Sequence, residues 1–192
     1  MQWSSGAAQN DRRSGWQASA GTSRTVSTRS SGSVRCVTNG TPSVAADADH
    51  SILAGHAVVG LDSNVFVYLF ESSGPLGRAA EAVVDALVGR RIVFASVGLL
   101  EVLGGPARVD HAALMERYVD EIRSMDGIRI IDLDPDIAFA AALTRARDRV
   151  TLGDAIHVAT AIAAGATAFI TNDTRIRSTA GLEIIQLSEF VA

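Results

Sequence analysis

The sequence has 192 residues, 47% of them hydrophobic and 5% aromatic, enough for one domain with an aliphatic core of Ala, Val, Ile and Leu. It contains no lysine, which excludes P-loop nucleotide hydrolases, Schiff-base enzymes, response-regulator receivers and haloacid-dehalogenase-type phosphatases, all of which use one. The formal net charge of −4 is unevenly divided, with five Arg against three Asp in residues 1–50 and 12 Arg against 18 acids in the remainder. A nucleic-acid partner would therefore have to meet local arginines and bound cations, not a general basic surface. Cys36 is the single cysteine, no apolar run reaches the roughly 18 residues of a membrane span, and no secretory h-region is present. A soluble cytoplasmic protein without a membrane partner is expected.

Residues 1–50 hold 10 Ser, 5 Thr, 5 Gly and 5 Arg without a sustained apolar period, a composition that buries too little surface to offset the entropy of ordering. A disordered stretch is expected over 1–55, followed by one domain over 56–192. The Ser- and Arg-rich start also resembles an organellar transit peptide, and a start placed too far upstream would leave the same trace. From Ala57 strands and helices alternate. Ala57–Leu61 reads as a strand ending at Asp62, a short helix runs through Val65–Phe70, and Gly74-Pro75 breaks it before a helix over Arg78–Val88. Ile92–Ala95 is the second strand, and Ser96 is placed to cap a helix that carries Glu101 and is stopped by Gly104-Gly105-Pro106. A helix over about Arg108–Met125, a strand over Ile128–Leu133 and a helix opened by Pro135 and running to about Arg149 come next. Thr151–Ala164 is the clearest helix, and Ala168–Thr171 and Glu183–Leu187 are the last strands. Strands separated by helices of this length make right-handed parallel βαβ units. The expected fold is a three-layer α/β/α sandwich with a mainly parallel central sheet.

Four acids stand where a strand ends or a helix begins: Asp62, Glu101, Asp154 and Asp173. The carboxyl ends of parallel strands converge on one crevice, and hard oxygen ligands gathered there suit Mg²⁺ or Mn²⁺. Each acid also has a plainer reading. Asp62 can cap the helix after it. Glu101 can be a solvated glutamate, although Leu99, Leu100, Val102 and Leu103 surround it with apolar surface in which a carboxylate needs a partner. Thr151-Leu152-Gly153-Asp154 is itself a capping-box pattern, a role compatible with metal binding. Asp173 can simply begin the turn Asn172-Asp173-Thr174. Their common edge favours a shared cation, which would also relieve their mutual repulsion. His157, three residues after Asp154 on the same helical face, is placed to act as a ligand or proton carrier, but between Ile156 and Val158 it reads as a satisfied core histidine, and Arg145, Arg147 and Arg149 read as a solvated face. There is no nucleophile elbow, no glycine-rich phosphate loop and no Cys/His set for zinc, and Asn64 stands where a haloacid-dehalogenase phosphatase needs its second aspartate.

With these residues in view, the chain from about Val58 to Val191 resembles the PIN-domain ribonucleases, most closely the VapC-type toxins of bacterial toxin–antitoxin pairs. The carriers are Leu61-Asp62-Ser63-Asn64-Val65, Ser96-Val97-Gly98-Leu99-Leu100-Glu101-Val102, Thr151-Leu152-Gly153-Asp154-Ala155-Ile156-His157-Val158-Ala159-Thr160-Ala161 and Thr171-Asn172-Asp173. The resemblance implies a PIN-like fold in which Asp62, Glu101, Asp154 and Asp173 form the acidic metal-binding and catalytic cluster, supported by hydrogen bonds from Asn64 and Thr171. It further implies hydrolysis of RNA to a 3′-hydroxyl and a 5′-phosphate, a small antitoxin protein as inhibitor, and a homodimer. Chemistry agrees, because a divalent ion held by carboxylates lowers the pKa of water for attack on phosphorus. Two other classes use the same residues: an inactive PIN-like binding or scaffolding module, which would have no need of all four acids, and a DNA-directed nuclease, for which no inserted arch or basic clamp is evident. The Ser/Thr/Arg-rich N-terminal stretch departs from the family pattern.

Overall fold

The first strand is buried on both faces because helices cover it from either side. In the computed structural model, which describes residues 51–177 and 181–190, β1 (Val58–Leu61) alternates Val59 and Leu61 toward one face and Val58 toward the other. Such a strand reads as an unbroken apolar run, as a central parallel strand must. It is followed by α1 (Ser63–Glu71), α2 (Pro75–Ala86), β2 (Arg91–Ala95), α3 (Ser96–Arg108), α4 (Ala112–Ser124) and β3 (Ile128–Ile131). Then come α5 (Pro135–Asp148), α6 (Leu152–Ala163), β4 (Ala168–Thr171), β5 (Glu183–Gln186) and a 3₁₀ turn at Leu187–Phe190. The expectations for residues 1–50 lie outside the described residues.

Among the described residues the sheet has the order β3-β2-β1-β4-β5, and every pairing is parallel. The three-layer α/β/α sandwich is what the alternating pattern implied. One face packs Val59, Leu61, Ile92, Phe94, Ile170 and Ile185 against helices α1 to α4. The other packs Val58, Val93 and Phe169 against Val158 and Ala161 of α6, and α5 covers α6 through Ile137 and Ala141. Gly60 lets α6 approach: a Cβ there would lie 2.7 Å from the Phe169 ring and 2.8 Å from Ala161. The chain winds away from β1 in one direction through β2 and β3, then returns to its other side at β4. The carboxyl ends of β1 and β4 thus flank the switch point where such sheets bind ligands.

Local chemistry explains most boundaries. Asp134 accepts a hydrogen bond from the Ile137 N–H at 2.8 Å and Pro135 opens α5, which ends on Arg149 in the left-handed region at φ 57°. Thr151 and Asp154 form a complete capping box at the start of α6. Two expectations are corrected. Ser96 is the first helical residue of α3, not its cap; the N-cap is Ala95, without a side-chain bond, because β2 passes straight into the helix. Gly104-Gly105-Pro106 does not stop α3, which continues to Arg108 with Pro106 buried inside it. Proline tolerates helical φ and forfeits one backbone bond, a loss its buried packing offsets. Leu53, ahead of residue 56, is fully buried in the core. Among the described residues no helix is long and apolar enough to cross a membrane.

Candidate metal centre

Asp62 follows β1 directly, and its backbone N–H bonds to the Ile170 carbonyl of β4 at 3.0 Å, so it sits at the switch point. It holds the N-cap position of α1 yet makes no side-chain cap bond, so capping does not account for the carboxylate. Instead the side chain is 6% exposed and held from three sides. Thr171 donates its hydroxyl to Oδ2 at 2.6 Å, Asn64 donates Nδ2–H to the same oxygen at 2.7 Å, and Ser63 donates to Oδ1 at 3.3 Å. Asn64 and Thr171 are tied into the β4 end as well, since Asn64 Oδ1 accepts from the Asn172 N–H and Thr171 Oγ1 accepts from the Asp173 N–H.

Glu101 projects from α3 and His157 from α6, meeting with Nε2 2.9 Å from Oε2, while the same nitrogen lies 3.9 Å from Asp62 Oδ1. One ligand atom from each of Asp62, Glu101 and His157 falls within 4.8 Å of the others. Two carboxylate oxygens and an imidazole nitrogen at this spacing suit a divalent cation. Gly98 makes the room, because a Cβ there would stand 2.6 Å from both His157 Cε1 and the Phe94 ring. His157 is therefore not the satisfied core residue its apolar neighbours implied: Nε2 faces two acids, and Nδ1 is buried without a hydrogen-bond partner among the described residues.

Asp154 and Asp173 lie on the Arg175 side of the crevice. The Arg175 guanidinium pairs with Asp173 through Nε and Nη2, and its Nη2 is 4.0 Å from Asp154 Oδ2. The four acids are thus divided between two basic side chains, His157 for Asp62 and Glu101, Arg175 for Asp154 and Asp173. Ser63 and Arg175 escaped the sequence reading as site residues, and His157, whose place on the Asp154 face of a helix allowed a ligand or proton carrier, was assigned to the core instead.

The electrostatics follow from this division. Burial, the largest effect on Asp62, holds its pKa above the ordinary 3.8 despite His157 and Thr171. Burial also pushes His157 down, but the Glu101 hydrogen bond and the charges of Asp62, Glu101 and Asp154 outweigh it and leave the imidazole above 6.5. The His157 bond lowers Glu101 below 4.5, and the Arg175 bond lowers Asp173 below 3.8. In metal-free protein the stability from charged His157 is complete below pH 6.5 and is lost as pH rises through the higher folded value. Asp62, also raised, likewise favours the folded state at low pH. The contributions of Glu101 and Asp173 are present above 4.5 and 3.8 and are lost as pH falls through their folded values. Thermal melts in EDTA should show stability declining on both sides of this window. His157→Gln should flatten the alkaline limb, and an unchanged limb would remove His157 as its source.

Residues 59–182 match the family model of the PIN domain, a span that holds every residue named at the crevice. The chain belongs to the PIN-domain family. Solved structures with the PIN fold of this chain include VapBC2 from Rickettsia felis bound to a DNA fragment from their promoter, at TM-score 0.55 and 18% identity over 67% of this chain and 98% of that one. A toxin–antitoxin complex from Klebsiella pneumoniae matches at TM-score 0.51 and 21% identity, over 66% and 94%. At these identities the likeness is one of fold. No curated protein sequence matches the chain.

Proposed function

We propose that this PIN-domain protein is a metal-dependent endoribonuclease and the toxin of a toxin–antitoxin pair. The observation that carries the reading is the buried Asp62 carboxylate, aligned by Thr171, Asn64 and Ser63 and facing Glu101 and His157 within 4.8 Å. A buried carboxylate whose ionised form is held at a cost, beside a second acid, fits a cation better than it fits any structural task. Asp62 and Glu101 would hold Mg²⁺ or Mn²⁺, with Asp154 and Asp173 extending the ligand set. When bound, the ion supplies Lewis acidity toward the phosphodiester and the attacking water. The chain's own residues orient and shield: Thr171 and Asn64 fix Asp62 Oδ2, Oδ1 takes the longer Ser63 bond and lies 3.9 Å from His157 Nε2, and Phe94 packs beside His157. The fold shared with two toxin–antitoxin complexes supports a cognate antitoxin as partner. Incubating the full chain with labelled RNA and DNA, with Mg²⁺, Mn²⁺ or EDTA, tests the reading. Metal-dependent RNA cleavage is expected; cleavage of DNA alone makes it a DNA nuclease, and binding without cleavage makes it a scaffold.

The homodimer belongs to the same proposal, and α5 supports it. Its inner face is buried on α6, but Phe139 and Leu143 on the outer face are 70% and 60% exposed, and Ala142 and Ala146 complete the stripe. A second copy running antiparallel about a two-fold axis between Ala142 and Leu143 sets Phe139 against Ala146, a large side chain against a small one. Sedimentation should find a dimer for the wild type and a folded monomer for Phe139→Glu; a monomeric wild type at micromolar concentration counts against the interface.

A further inference from the structure

We propose that Arg175 is a built-in competitor for the cation at the Asp154–Asp173 side of the crevice. It occupies those carboxylates until a divalent ion displaces it, and the freed guanidinium then takes up the RNA phosphate. The inference rests on the reading of the crevice as a cation site and adds to it an exchangeable counter-ion.

The two halves of the crevice each set one basic side chain beside two acids, but hold it differently. His157, which serves Asp62 and Glu101, is 2% exposed and wedged between Phe94 and the backbone of α3 at Gly98; it has nowhere to go. Arg175 has a side chain 68% exposed and reaches Asp173 across one intervening residue. Its backbone N–H donates to Asp173 Oδ1 at 2.8 Å, its Nε lies 2.9 and 3.0 Å from the two oxygens, and its Nη2 closes on Oδ2 while lying 4.0 Å from Asp154 Oδ2. Among the described residues it is the cationic side chain paired with either acid. The backbone bond fixes the Asp173 carboxylate whether or not the guanidinium is present, so the side chain can leave without disturbing the ligand.

Exposure makes that exchange easy. An ion pair in water is worth little because solvent screens it and the side chain gives up rotamer freedom to make it, whereas a hard divalent ion gains more from two carboxylates than a singly charged guanidinium does. A displaced Arg175 remains tethered at the mouth of the crevice. There its planar fork matches a phosphodiester, to which guanidinium donates two parallel hydrogen bonds. Losing the arginine should therefore move two affinities in opposite directions, an outcome that a purely structural residue would not produce.

Titration of Mn²⁺ into RNA-free full-length protein by calorimetry, beside binding of a non-cleaved RNA in EDTA and in Mn²⁺, tests this. Removing one positive charge a few ångströms from a divalent ion should tighten Mn²⁺ binding by about tenfold in Arg175→Gln, with Arg175→Lys between the two because it keeps the charge and loses the fork. Arg177→Gln, the same charge change two residues on, should titrate like the wild type. In Mn²⁺, Arg175→Gln should bind RNA more weakly than the wild type does. Equal Mn²⁺ affinity in wild type and Arg175→Gln overturns the inference, as does an equal gain in Arg177→Gln. Asp62→Asn separates the two levels: if it binds Mn²⁺ like the wild type, the metal-site reading itself fails, and if it loses binding while Arg175→Gln is unchanged, only the role of Arg175 fails. Absence of Mn²⁺ binding in wild type and variant alike overturns both.

Discussion

Asp62→Asn is expected to bring metal-dependent RNA cleavage down to background, a larger loss than the roughly 10–100-fold typical of removing a residue that only supports a ligand. The amide is neutral and a poor ligand for a hard cation. It nevertheless suits the local hydrogen bonds: its carbonyl oxygen can accept from Thr171 and Asn64, as Asp62 Oδ2 now does, and its NH₂ faces the Ser63 hydroxyl. Because burial makes the ionised carboxylate costly, the metal-free variant should melt no lower than the wild type at neutral pH. Asp154→Asn should lose activity in the same way with α6 intact, since the amide oxygen can still accept from the Thr151 N–H. Full cleavage by either variant, measured on the same RNA, would refute the metal-site assignment.

Mg²⁺ or Mn²⁺ should raise the melting temperature as the logarithm of concentration above the dissociation constant, because the ion binds a site that exists only in the folded state. At a hundred times the dissociation constant the gain is about 2.7 kcal/mol, or about 8 °C for a domain of this size. The gain should grow as pH rises from below to above the folded pKa of His157, since proton and metal compete for Asp62, Glu101 and His157. A flat melting temperature across millimolar Mn²⁺ would count against a cation site formed by these acids.

The fold was legible because its signals are local. β4 follows from Ala168 to Thr171 alone, and α6 from a capping box and an apolar run. α3 was misjudged at both ends because tertiary context outweighed its breakers: packing keeps Pro106 in the helix, and a direct entry from β2 leaves Ser96 no capping role. Asp62 and Asp154 stood out since each follows a strand or opens a helix. His157 did not, because its neighbours Ile156 and Val158 look like core, and what makes it different is Glu101, 56 residues away, and the space left by Gly98. The division of four acids into two pairs, each sharing one basic side chain, could not be read either. It depends on where two helices and a turn come to rest, which no spacing encodes.

The hydrogen bond between Thr171 and Asp62 joins residues 109 apart in the chain, and β4 pairs with β1 on the side opposite β2 and β3, which precede it in the sequence. Contacts of such sequence separation form late, after the entropy of closing a long loop has been overcome. During synthesis the first strand, with its aspartate, leaves the ribosome long before the strand that aligns it. A partly made chain thus carries the acid without the geometry. Until Thr171 has been made and β4 has paired with β1, Asp62 lacks the hydroxyl that aligns its carboxylate.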